Sequence, residues 1–192
     1  MEWISNTNWR RWLLWMAAAA AAGHLQAAEP RQTGKETSVM RLTSTAFEDG
    51  KTIPVRFTGF GADESPTLQW SGAPAGTRSF ALICDDPDAP MGTWVHWVIY
   101  GLPATANELP EKTPAAESLP GGARQGLNDF RRVGYGGPLP PPGKPHRYFF
   151  KLYALDAELP LKARATKPEL LRAMEGHILA EAQVMGTYQR AR

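Results

Sequence analysis

Hydrophobic and polar positions along the chain fall into short segments, not long periodic ones. Ser79-Phe80-Ala81-Leu82-Ile83-Cys84 is a continuous apolar run, the pattern of a strand buried on both faces. Trp94 to Tyr100 predicts its neighbour, so that Ser79–Asp85 and Trp94–Tyr100 form a central pair. Between them, Asp85-Asp86-Pro87-Asp88-Ala89-Pro90 predicts a stiff loop. Its prolines lack an amide donor and hold φ at about −65°, which keeps them out of a central ladder. His146 to Leu155 predicts another strand, with His146, Tyr148 and Phe150 on one face and Arg147, Phe149 and Lys151 on the other.

The remaining segments are shorter. Met40 to Phe60 reads as two strands about an Asp49-Gly50 turn, and Leu68-Gln69-Trp70 as a short one. Prolines and glycines between Gly101 and Arg132 exclude a long regular element there. The run from Gly134 to Gly143, which includes Gly136, Gly137, Pro140 and Pro141, predicts a second rigid loop. The C-terminus reads as helical. Thr166-Lys167-Pro168-Glu169 has capping-box spacing, and Leu170, Leu171 and Met174 follow at helical intervals. Gly176 then separates a second helical piece bearing Ile178, Leu179, Ala182 and Met185.

Composition changes this picture at the N-terminus. Arg10-Arg11, an apolar stretch through Ala22 and small residues at Ala27 and Ala28 match a secretory signal peptide over residues 1–28. The stretch is short for a membrane span, which needs about 20 apolar residues. The expected product is periplasmic or secreted, with no integral span after cleavage, a flexible segment over 29–39 and one domain over 40–192. A formal charge of +2 among 192 residues, without a basic stripe, argues against nucleic-acid binding. Cys84 is the single cysteine, so no internal disulfide forms, and its place at the end of an apolar run predicts a buried thiol.

The chemistry-bearing residues are Asp86, Asp88, His96, His146 and Tyr148. Taken singly, each has an ordinary structural role: aspartates beside proline shape turns, and tyrosines pack. Together, two histidines enter two strands directly after two proline-stiffened loops, which suggests a pocket. Three chemistries suit it. Imidazole and phenol groups with loop amides can receive a phosphate or carboxylate, and a nearby carboxylate would hold a histidine as the cationic donor. Two histidines with aspartates can bind zinc or iron, but HExxH and CxxC spacings are absent. A hydrolase would need a nucleophile, and no Gly-x-Ser-x-Gly elbow is present. The anion pocket is the best of the three.

The motifs Glu64-Ser65-Pro66-Thr67-Leu68-Gln69-Trp70, Asp86-Pro87-Asp88-Ala89-Pro90, Trp94-Val95-His96-Trp97, Gly134 to Pro141 and His146-Arg147-Tyr148 resemble those of the phosphatidylethanolamine-binding protein (PEBP) family, in its bacterial Raf-kinase-inhibitor-like branch. The resemblance runs from Met40 to the C-terminus. It implies a mostly β, compact antiparallel fold, a large central sheet packed on a smaller one, with C-terminal helices. It also implies a ligand-binding pocket of Asp86, His96, Pro140, Pro141, His146 and Tyr148, with Tyr188 approaching from the C-terminal helix. Pro87, Asp88, Pro90, Gly136 and Gly137 would structure its loops, with Arg147 as an ion-pair partner. Leu139 replaces a cysteine common in this branch, and Arg131-Arg132 stand where a glycine is more usual. The resemblance implies a non-enzymatic protein without metal or cofactor, with a small anionic ligand that includes a phospholipid headgroup, and a homodimer. Its alternatives are an inhibitor of a partner protease or kinase and, ranked lowest, a metal-dependent hydrolase.

Overall fold

The structure, a computed structural model, describes residues 39–190. The leader expected over residues 1–28, and the segment after it up to residue 38, lie outside the described residues. At the centre is β3 (Ser79–Asp86), all eight of whose residues are buried. It pairs antiparallel with β4 (Trp94–Pro103) on one side and β7 (His146–Leu155) on the other. β6 (Arg124–Gln125) flanks β4 and β8 (Ile178–Tyr188) flanks β7, giving a five-stranded sheet ordered β6-β4-β3-β7-β8. A smaller antiparallel sheet has the order β1-β2-β5, from Arg41–Ser44, Leu68–Ser71 and Glu108–Leu109.

Both faces of the large sheet are covered, which is why β3 has no polar alternation. On one face, here the front, Phe80, Leu82, Cys84, Trp97, Ile99, Phe150 and Leu152 pack with Leu42, Leu68, Trp70 and Leu109 of the small sheet. Trp70 meets Phe80 edge-on, with ring centroids 5.5 Å apart. On the back, Ala81, Ile83, Val98, Tyr100, Tyr153 and Leu155 pack with Leu159, Leu170 and Met174. The last two lie on α1 (Lys167–Met174), whose Glu169 carboxylate accepts from the Thr166 amide at 2.7 Å and its hydroxyl at 2.8 Å. Among the described residues, no helix is long and apolar enough to cross a membrane.

Two expectations are corrected. The second C-terminal helix is the strand β8, paired with β7 from His146↔Tyr188 to Leu155↔Ile178. Ile178, Leu179, Ala182 and Met185 do recur at helical intervals, but the open edge of β7 satisfies the backbone groups of this stretch and its buried positions, Val184 and Gly186, alternate. Gly186 faces the front so closely that an added Cβ would lie 2.4 Å from Ile53 Cγ1. The second strand expected between Met40 and Phe60 reduces to an isolated bridge, Thr52↔Thr187, and a 3-10 turn over Val55–Phe57.

Candidate functional site

All the chemistry-bearing segments meet at one end of the large sheet. There β3 ends in Asp86, β4 begins, β7 begins with His146, and β8 ends in Tyr188. Antiparallel pairing dictates this: two strand starts and two strand ends share an edge. Phe80, Leu82, Cys84 and Asp86 share the front face by alternation, as do His146, Tyr148 and Phe150.

His96 reaches the front by a different route. Strict alternation would place it with Val98 and Tyr100 on the back. The register instead runs Cys84↔Trp97 and then Asp85↔Val95, skipping His96. This is a β-bulge, in which an extra residue re-aims the strand's side chains. Val95 accordingly packs in the back cluster, while His96 meets Tyr148 edge-on at 5.1 Å between centroids, with interplanar angle 87°. Phe130 stands edge-on to both His96, at 5.4 Å, and Trp94, at 5.5 Å.

The loops hold these groups in place. The Asp86 Oδ1 accepts from the Asp88 amide at 2.8 Å, closing the turn over Pro87. Asp88 then points away from the cluster and accepts from Arg147 through the backbone N–H (3.0 Å), Nε (2.8 Å) and a terminal nitrogen (2.7 Å). These bonds depress the Asp88 pKa to about 2. The second loop is strapped to the 55–63 segment. Gly59 donates to Pro138 O (2.9 Å), Gly137 donates to Asp63 Oδ1 (2.6 Å), and the buried Tyr135 hydroxyl donates to Phe57 O (2.8 Å). Gly136 and Gly137 serve close approach: added Cβ atoms would sit 2.7 Å from the Phe130 ring and 2.5 Å from Phe57 O. Arg132 pairs with Asp63 at 2.6 Å, and Arg131 has φ +61°, a left-handed conformation that suits glycine and is occupied here by arginine.

Inside, a cavity of about 580 Å³ is lined by Asp86, Pro90, Trp94, His96, Phe130, Pro140, Pro141, His146 and Tyr148, within the roughly 300–1,000 Å³ of ligand pockets. His146 Nδ1 lies 2.8 Å from Asp86 Oδ2, both side chains nearly buried. His96 Nδ1 lies 2.5 Å from Gly136 O. The Tyr148 hydroxyl is sealed from solvent beside the Asp86 carboxylate and, among the described residues, makes no well-formed hydrogen bond. Burial and the neighbouring Asp86 carboxylate push its pKa up. For His96, burial outweighs the backbone carbonyl and the charges of Asp86, Asp129 and Asp63, and its pKa is lowered. The expected cationic histidine is therefore corrected at this position: His96 favours the neutral form. Cys84 is buried below the site, its thiol pushed well up by burial.

Tyr188 does not line the cavity, and it lies on a strand, not the expected helix. It stacks on Phe60 at 6.0 Å and 21°, and Arg190 sits 5.2 Å above the other ring of that pair, Phe60. Phe60, Arg190, Met91 and Leu139 complete the mouth. Sequence reading missed Phe60, Phe130, Asp63 and Arg190. Only Asp63, an acid within a glycine-rich loop, carried a local signal, since the others act through contacts with distant segments. Among the described residues, no group of three or more His, Cys, Asp or Glu side chains is placed to hold a metal ion.

Comparison with known proteins gives consistent matches. A family model described as phosphatidylethanolamine-binding protein matches residues 43–189. A UPF0098 protein of Methanothermobacter thermautotrophicus is 51% identical over 151 residues, spanning 79% of this chain and 99% of that protein. One from Aquifex aeolicus is 47% identical over 155 residues, spanning 80% and 90%. The crystal structure of CT736 from Chlamydia trachomatis superposes with TM-score 0.74 at 40% identity, covering 80% of this chain and 99% of that one. Escherichia coli YbcL, described as a new member of the mammalian PEBP family, gives TM-score 0.73 at 36% identity, covering 79% and 99%.

Proposed function

The chain belongs to the phosphatidylethanolamine-binding protein family, and from that premise we propose that it is an exported, non-enzymatic binding protein whose cavity takes a small anionic group, phosphate-bearing in the first instance. The observation that carries this reading is that His96 and His146, from two strands, line one cavity, each with Nδ1 engaged by the protein and Nε2 without a partner among the described residues. His146 supports it: its Nδ1 is held by the Asp86 carboxylate, which orients the ring and leaves Nε2 to face a ligand. Arg190 at the mouth adds a fixed positive charge. The lining holds no serine, threonine, cysteine or lysine, so nucleophiles of those four types are missing from the cavity wall. Support for export is the leader pattern of residues 1–28.

Calorimetric titration with inorganic phosphate tests the reading. Saturable binding is expected, and His96→Ala should weaken it at least about tenfold while leaving cooperative unfolding intact. A flat titration of the folded wild-type protein would overturn the anion pocket.

A further inference from the structure

The proton positions in the cavity wall restrict which anion can enter. A backbone carbonyl only accepts hydrogen bonds, so the proton of neutral His96 sits on Nδ1, facing Gly136 O. The Asp86 carboxylate likewise places a proton on Nδ1 of His146. Each ring is thereby left with Nε2 as its cavity-side polar atom. Among the described residues neither Nε2 has a partner, and neither is sealed as the Tyr148 hydroxyl is. In the neutral ring that atom is a lone pair, not a donor. Both Asp86 oxygens already accept, one from His146 and one from Asp88. The inner wall thus offers lone pairs and one carboxylate charge, with the Tyr148 hydroxyl sealed behind it.

An oxyanion without a proton would press its own lone pairs against that wall. Given the anion-pocket reading above, on which this rests, we infer that the site selects oxyanions bearing their own hydroxyl: inorganic phosphate and phosphomonoesters, to the exclusion of sulfate and phosphodiesters. The P–OH donates to His96 Nε2, and Arg190 at the mouth balances the charge of the remaining oxygens. The charges facing His96 are all acidic, Asp86 from β3 and Asp63 and Asp129 from the flanking loops, with the phenol of Tyr148 on β7 and the Phe130 ring completing its surroundings. Those acids favour a second proton on the ring, but burial outweighs them, so the ligand supplies the proton. One consequence separates two sources of phosphate. A free phosphomonoester carries a P–OH at mildly acidic pH, its second pKa being about 6, whereas the diester linkage of an intact phospholipid has none. The cavity reads the former.

The test uses the wild-type protein at about pH 6, titrated in parallel with methyl phosphate, inorganic phosphate, dimethyl phosphate and sodium sulfate. Expected is saturable binding of the first two, with dimethyl phosphate and sulfate at least about 30-fold weaker, since a site built to pair a hydroxyl rejects analogues lacking it. In His96→Gln the side-chain amide can turn its NH2 inward, and the gap between methyl and dimethyl phosphate should narrow to less than about tenfold. Equal binding of all four by the wild type would overturn the selectivity while leaving the anion pocket standing. Binding of none would overturn the pocket itself, and the selectivity with it.

Discussion

Asp85 and Asp86 are neighbours on one strand, both buried, and the alternation of β3 sends them to opposite faces of the sheet. On the back, Asp85 meets Lys151 at 3.1 Å and Lys167 at 2.5 Å, tying the first turn of α1 to β7. On the front, Asp86 meets His146, and next to it the Tyr148 hydroxyl is sealed from solvent. The back carboxylate is paired by two cations. The front one orients an imidazole in the wall of a cavity. Burial alone therefore does not mark function. What distinguishes the front carboxylate is that it lines the cavity together with two imidazoles.

The largest effect should come from the back. Replacing both Lys151 and Lys167 with Met leaves Asp85 buried without a cation, and we expect a loss of roughly 3–5 kcal/mol in denaturant unfolding. Phosphate binding by the fraction that remains folded should be unchanged. If binding were lost in a folded double variant, the two faces would not be separate in function.

A smaller effect is expected at the rim, where Asp88 stands between the two cases. Its pKa is held at about 2 by the Arg147 bonds, below the usual 3.8 for this side chain. Because the unfolded chain binds the proton more readily, the contribution of Asp88 is fully present above pH 3.8 and is lost as pH falls towards 2. Asp88→Ala should lower the melting temperature by a few degrees at neutral pH and flatten the acid limb of the stability profile. An unchanged acid limb would show that the pair does not lock the loop.

Much of this architecture is legible along the chain. The unbroken apolar run of β3 announces a strand covered on both faces, and the alternation of His146, Tyr148 and Phe150 assigns them to one side. The capping residues place α1 correctly. β8 is not legible, because Ile178, Leu179, Ala182 and Met185 match a helix as well as an edge strand, and only the free hydrogen-bonding edge of β7 decides between them. The bulge at His96 is hidden for a related reason. Nothing in Trp94-Val95-His96-Trp97 marks the extra residue, which arises from pairing with β3. Of the candidate site, the polar inner wall is visible as motifs, whereas Phe60, Phe130 and Arg190 become wall and mouth only through tertiary contacts. The tautomer of His96 depends on a carbonyl of Gly136, which a string of residues does not display.

The central claim is that imidazoles from β4 and β7 face one shared ligand. Histidine-detected NMR during titration with inorganic phosphate addresses it directly. The His96 and His146 ring signals should move together along one saturation curve, while His177, bonded to Asp156 at 2.8 Å and exposed, should stay in place. Unmoved His96 and His146 signals at saturating millimolar phosphate, or shifts confined to His177, would contradict the account.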